Sequence, residues 1–399
     1  MRFCFVLFFL FLITSTEGQT NTIKGIVVSA DGNFPLANCN VFISNSSKGT
    51  MTDAEGKFTL SQIPEGNSLD LLVSNAGYET YVYTFSTKDL PLDLNIKLNK
   101  KIINLAAVVI TNADPNGWEN WGKVFRDKFL GESDNGNSCK IENFEVLKFR
   151  YNKRENKLTV DADSILIIKN VRLGYIVKYQ LEDFVYNMNA QTIRYTGYPV
   201  FEELEPDSNK RVAYIARRSR TYIGSMLHFM RAVYNDQLAE QRYKVVKTEP
   251  EAGYGTLGND GRAIQIDIGG AASNEPKKNK RSQNVNEEQE GKKEIKYITR
   301  KDILFKGSDS TRNVLSFDNY LSITINEPED EGYAQFTGYE QKSRLYILTD
   351  EKRITIEPNG RYYPALDLLI EGYMTWKKVG DLLPFDYTPP EKKKKSKVH

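Results

Sequence analysis

Histidine is scarce in this 399-residue chain, which has only two. His399 is terminal, and His228 sits in the helix-like run Ser225-Met226-Leu227-His228-Phe229-Met230-Arg231. A zinc site needs several His or Cys at set spacing, such as H-E-x-x-H, and no such spacing occurs. Ser225 near His228 does not make a catalytic triad, because neither G-x-S-x-G nor S-x-x-K is present. A lone helical histidine is more often a partly buried residue with satisfied nitrogens, and His228 is read that way. Gly253-Tyr254-Gly255-Thr256-Leu257-Gly258 has G-x-G-x-x-G spacing without a βαβ context, so it is read as a loop.

Two carboxylates suffice for glycoside hydrolysis. Asp161 with Asp163, Glu202 with Glu203, and Asp381 with Asp386 are the available pairs, but 52 acidic residues produce such pairs by chance. Arg217, Arg218 and Arg220 cluster at what reads as a helix start, where cations oppose the helix dipole. An anion partner would explain them. Pairing with Glu202, Glu203 or Glu205 explains them more simply. No residue is assigned as catalytic, cofactor-binding or metal-ligating, and no cofactor is expected.

The elements around these residues are mostly strands. Residues 22–28, 40–44, 57–60, 69–75 and 78–85 alternate apolar with polar side chains, and turns at Asp31-Gly32, Gly49-Thr50, Glu55-Gly56, Pro64-Glu65-Gly66 and Gly77 separate them. Short strands at such intervals predict a small antiparallel sandwich over residues 22–100. Gly56 closes a turn expected to need positive φ, and Phe58, between Lys57 and Thr59, should face the core. The order G-x-V, D-G, P-L, V-x-I, G-T-x-T-D-x-x-G-x-F-x-L, I-P-x-G and G-Y resembles the carboxypeptidase regulatory-like domain. That resemblance implies a transthyretin-like Greek-key sandwich, an accessory module in its family, so no peptidase activity follows from it. The apolar segment Asn104-Leu105 to Val108-Val109-Ile110-Thr111 is similar to the one that follows this module in TonB-dependent receptors, but the chain is too short for their barrel.

Residues 101–114 read as a connector, and residues 115–390 as one α+β or mostly-β domain. Asp114-Pro115 can open a helix whose Trp118, Trp121, Phe125 and Phe129 share one face, a core stripe rather than a sugar platform. A second helix is expected over residues 219–241 and another over 366–376. Period-two strands are expected at 263–268, 320–326, 343–349 and 353–357. The fold class is thus mainly β, an N-terminal sandwich followed by a sheet-rich domain with two or three helices. In order, Cys139-x-Ile141-x-Asn143, Tyr195-x-Gly197-Tyr198-Pro199, Tyr222-x-Gly224-Ser225 and Gly380-Asp381-Leu382-Leu383-Pro384-Phe385-Asp386-Tyr387 resemble uncharacterised exported proteins of Gram-negative envelopes. That family carries no assigned activity and supplies no catalytic residue.

The ends and the composition bound the setting. Arg2, the 11-residue apolar run 3–13 and the small residues Thr16 and Gly18 read as a signal peptide over residues 1–18. The run is too short to span roughly 30 Å of hydrocarbon, and no later segment reaches the length of a span. Cys39 and Cys139 are all that remain after cleavage. They form no disulfide framework, and Cys39 reads as a small core residue. A net charge of +2 leaves no nucleic-acid footprint. Residues 274–296 form a charged, apolar-poor insert, and residues 391–399 a basic tail that could touch anionic lipid. The expected role is a non-enzymatic exported envelope protein, periplasmic or at the outer membrane, that binds or scaffolds a protein complex or a glycan. The alternative is an envelope-polymer hydrolase using paired carboxylates in the second domain.

Overall fold

The computed structural model describes residues 21–101, 113–205, 208–248, 267–268, 296–307, 312–325, 330–337 and 340–390. The segment expected as a leader (residues 1–18), most of the expected connector, the Gly253–Gly258 stretch, nearly all of the charged insert and the basic tail lie outside them.

Seven strands build the N-terminal sandwich: β1 (Thr22–Ser29), β2 (Asn40–Ile43), β3 (Gly49–Met51), β4 (Lys57–Ser61), β5 (Leu69–Ser74), β6 (Tyr81–Phe85) and β7 (Leu92–Leu98). They form a sheet of order β4-β1-β7 facing one of order β3-β2-β5-β6. One pairing departs from the antiparallel expectation, since β1 and β7 run parallel, Ile23 beside Leu92 through Ser29 beside Leu98. The sheet is closed by bringing the first and last strands together, a contact no local pattern encodes. Gly56 adopts φ +73°, and a Cβ there would lie 2.5 Å from the Val27 carbonyl. Phe58 is buried with Ile23, Leu60, Leu71 and Ile96, and Cys39 is buried in the same core.

Residues 113–390 carry two further cores. The first is a seven-stranded sheet built on a long hairpin, Tyr175–Asn187 against Thr192–Glu203. Helix α1 (Gly117–Phe129) covers it, with Phe125 and Phe129 fully buried and Trp118 and Trp121 partly buried against them. Asp114 does not cap α1 as expected. The first helical residue is Gly117, and the Asp114 carboxylate instead accepts from the Asn116 N–H (2.9 Å) and the Asn120 amide (2.9 Å), tying the turn before the helix. Gly131, at φ +94°, ends it.

The second of these cores packs a four-stranded sheet, Tyr243–Thr248, Tyr320–Ile325, Lys342–Ile347 and Leu368–Gly372, with a second small sheet holding Ile354–Ile356. The helix expected over residues 366–376 is a strand followed by one turn, Tyr373–Trp376. Ladder bonds to Lys342–Ile347 outweigh its helical pattern, and Gly372 at φ +81° turns the chain. The helix expected over 219–241 is also redrawn. After α2 (Asp134–Ser138), helix α3 runs Ser208–Tyr222, the chain breaks at Gly224 (φ +74°), and α4 runs Met226–Tyr234 with Ser225 as its N-cap. Among the described residues, no helix is long and apolar enough to cross a membrane.

Candidate functional site

The three cores meet around a cavity of about 660 Å³. Ser44, Asn45 and Asp70 reach it from the sandwich, Tyr195, Thr196 and Tyr198 from the long hairpin, and Met226 and Leu227 from the start of α4. Arg361, Tyr362 and Tyr363 line another wall, and Lys377, Asp381 and Phe385 close it. The lining is thus tyrosine-rich, with aliphatic floor residues and a few polar groups.

A strap formed by residues 377–390 holds the site together. Gly380 donates its N–H to the Leu130 carbonyl (2.9 Å), and its Cα sits so close to Gly136 that a Cβ would lie 2.5 Å away. Phe385 donates to the Asn45 carbonyl (2.6 Å), and Asp386 accepts from Ser47, both in the sandwich. From α4, Arg231 donates to the carbonyls of Asn359 (2.8 Å), Phe385 (2.9 Å) and Tyr387 (2.8 Å). The sandwich also docks directly on the hairpin. Asn45 donates to Pro199, Phe201 donates to Ser46, and Phe42 and Leu72 bury themselves against Val200. An outward face of the sandwich is therefore a buried interface.

The carboxylates in the cavity are mostly committed. Asp381 is buried, accepting from Asn135 (2.7 Å) and Ser133 (2.5 Å). Burial holds its carboxyl above the usual range, while Ser133, the Lys377 charge and Asn135 pull the other way. Lys377 donates to the carbonyls of Thr221 (2.9 Å) and Ile223 (2.7 Å), and burial lowers its ammonium. Asp70 is ion-paired with Arg361 at 2.6 Å in the seam between sandwich and cavity. Glu182 is the exposed carboxylate of the lining. Nearby, Glu357 is 2 % exposed and accepts from the Asn67 N–H (3.3 Å) through one oxygen, while its other oxygen has no partner. Burial raises its carboxyl, more than Arg361 and the backbone N–H groups of the sandwich turn lower it.

The other residues singled out in the sequence are scattered. Asp161 pairs with Arg150 and Asp163 with Lys148, on the outer face of one strand pair. Glu202 pairs with Lys178, and Glu203 takes Arg218 at 2.7 Å. Asp381 and Asp386 share the strap but face different units. The arginine cluster lies at the C-terminal end of α3, not at a helix start, where the dipole favours it. Arg217 and Arg218 reach back to the carbonyls of Arg172 and Leu173. His228 is buried in α4. Its Nδ1 accepts from the Gly224 N–H (3.1 Å) with the Tyr243 hydroxyl at 2.8 Å, which leaves Nε2 to donate to the Gln241 side chain (3.1 Å). Cys39 and Cys139 are both free and buried, and burial pushes the Cys139 thiol up to about 12. Among the described residues no group of three or more His, Cys, Asp or Glu is disposed to hold a metal. Arg361 and Lys377 carry no signal in the sequence, because each is unremarkable in its local pattern and becomes part of a site only through distant contacts.

Residues 23–110 match the family model of the carboxypeptidase regulatory-like (CarboxypepD_reg-like) domain. No curated protein matches the chain. Among solved structures, a type II cohesin–X-dockerin complex from Acetivibrio cellulolyticus is similar over 19% of this chain at 21% identity, with a TM-score of 0.15. A 3-chlorocatechol 1,2-dioxygenase from Rhodococcus opacus is similar over 22% at 15% identity (TM-score 0.16), and a 9R-lipoxygenase from Cyanothece over 58% at 11% identity (TM-score 0.18). The matches span 51%, 62% and 50% of those three chains, under two thirds of each. The regulatory-like domain is an Ig-like β-sandwich, an architecture compatible with a binding or scaffold role.

Proposed function

We propose that this protein is a non-enzymatic, exported binding protein of the cell envelope whose junction cavity holds a short saccharide. The supporting observation is the lining. Tyr195, Tyr198, Tyr362 and Tyr363 offer ring faces, and Thr196, Asn45 and the Asp70–Arg361 pair offer hydrogen-bonding groups beside them. Sugars present both apolar C–H faces and hydroxyls, and concave sites with a few placed polar groups suit such ligands. The sandwich acts as a fixed wall of the site instead of a free spacer, because its 44–48 loop is bonded to both the hairpin and the strap.

The hydrolase reading draws on one specific observation: Asp381 is a buried acid with a raised pKa, lining the cavity. Its two oxygens are already engaged by Asn135 and Ser133, which favours a structural role. Calorimetric titration with soluble envelope-polysaccharide fragments, paired with chromatography of the mixtures, separates the two readings. Binding without new products is the expected result, with Tyr198→Ala and Tyr363→Ala weakening it about tenfold, the worth of one or two kcal/mol of ring contact. Turnover that disappears in Asp381→Asn would instead establish the hydrolase.

A further inference from the structure

We propose that the junction cavity takes an amphiphile, a neutral sugar head joined to a single hydrocarbon chain; the proposal rests on the saccharide reading above and extends it. Sugar-binding groups account for only part of the lining. Met226 and Leu227 at the start of α4, Ile370 and Met374 from the 368–376 segment, and Leu382 and Leu383 in the strap give the cavity an aliphatic floor. Leucine and isoleucine offer a hydroxyl nothing, and methionine only a weak acceptor. Leu227 and Leu383 belong to the core beneath the long-hairpin sheet, Ile370 and Met374 to the core beside it. All four are buried from solvent, yet all line the void. Two hydrophobic cores therefore open onto one space of about 660 Å³ instead of closing it. Protein interiors leave few voids larger than a water molecule, and one with aliphatic walls suits an apolar guest.

The polar groups come from other elements. Tyr195, Thr196 and Tyr198 stand on the hairpin, Asp70 on the sandwich, and Arg361 and Tyr363 on the segment 361–363. One ligand that meets both kinds of surface needs a head with hydroxyls and a tail without them. The charges favour a neutral head. Arg361 is already answered by Asp70 at 2.6 Å, and Lys377 donates to the Thr221 and Ile223 carbonyls. Glu182, exposed on the lining, makes no ion pair among the described residues and would repel a phosphate or carboxylate.

The test is calorimetric titration of the protein with alkyl glucosides from methyl to octyl, all below their micelle-forming concentrations. Saturable binding of one ligand per chain is expected, tightening about fourfold for each added methylene until the floor is covered. Tyr198→Ala should weaken every member of the series by the same factor, because it acts on the head. Met226→Gln with Leu382→Gln, both half-buried positions, should instead flatten the series to about twofold per methylene or less. Competition decides the point without a variant: octanol should displace octyl glucoside and leave methyl glucoside bound. Octanol alone should bind at least about tenfold more weakly than octyl glucoside. If methyl glucoside or the polysaccharide fragments bind and longer chains add nothing, the amphiphile is overturned and the saccharide reading stands. If octanol binds as tightly as octyl glucoside and no free sugar binds, both readings fall. A folded Met226/Leu382 variant with the parent's chain-length dependence, or octyl glucoside that octanol does not displace, also overturns the proposal.

Discussion

The hydroxyl of Ser47 lies 2.5 Å from the Asp386 carboxylate, and the Ser47 N–H points at both of its oxygens, at 3.2 and 3.3 Å. The two residues are 339 positions apart. This contact fastens the C-terminal strap onto the sandwich loop that also docks on the long hairpin. The orientation of the sandwich and the closure of the cavity therefore depend on the same few bonds.

Asp386→Ala removes a charged acceptor from that latch. Hydrogen bonds to charged groups are worth about 1.5–3 kcal/mol, and half-exposure places this set toward the lower end. The expected outcome is a modest fall in the urea midpoint with a larger gain in protease cleavage within residues 384–390. Unchanged cleavage would mean that Arg231 and the Phe385–Asn45 backbone bond hold the strap without Asp386.

Phe58→Ala empties the centre of the sandwich core, where Phe58 lies among Ile23, Leu60 and Ile96. The cost should be about 3–5 kcal/mol. Gly56→Ala should cost at least about 1 kcal/mol, since positive φ and the nearby Val27 carbonyl both oppose a side chain. Denaturant unfolding checks both, and a Phe58 variant as stable as the parent would contradict the packing described.

Glu357 gives a pH dependence of defined sign. Its carboxyl is raised from the usual 4.5, so the folded protein holds a proton that the unfolded chain has already released. Stability from this group is present below the ordinary carboxylate range and is lost as pH rises through the raised value. Glu357→Gln should therefore raise Tm at pH 7–8, with the gain shrinking toward zero near pH 4. A gain that persists at low pH would point to packing and not to charge.

Arg361 and Asp70 form the largely buried ion pair of the seam, with the Asp70 carboxylate also accepting from Thr84 at 2.8 Å. Arg361→Ala leaves Asp70 without its counter-charge and should cost about 1.5–3 kcal/mol. Asp70→Asn made together with it should recover part of that loss. A double-mutant cycle measures the coupling, and simple additivity would show that the two residues act independently.

Local pattern left β3, read as a turn, and β7 illegible, and was enough for the other five of the seven sandwich strands, for Gly56 and Phe58, and for the aromatic stripe of α1. Each rests on neighbours within a few residues: a period of two, a turn that needs glycine, a helical repeat of 3.6. Local pattern failed where distant partners override it. Residues 366–376 read as a helix until Lys342–Ile347 supplied ladder bonds to Leu368–Gly372. Ser219 read as a helix start, but α3 begins at Ser208, and the arginines around Ser219 brace its far end. The sequence Gly380-Asp381-Leu382-Leu383-Pro384-Phe385-Asp386-Tyr387 stood out as a motif with no visible purpose. Its purpose is tertiary, because the partners of Gly380, Asp381, Phe385 and Asp386 are Leu130, Asn135, Asn45 and Ser47. The cavity is likewise assembled from stretches far apart in the chain that meet only on folding. The sequence by itself determined most of the segments that become strands and which side chains prefer burial. Only the tertiary structure decided which of them face one another, because contacts between residues hundreds of positions apart leave no period in the chain.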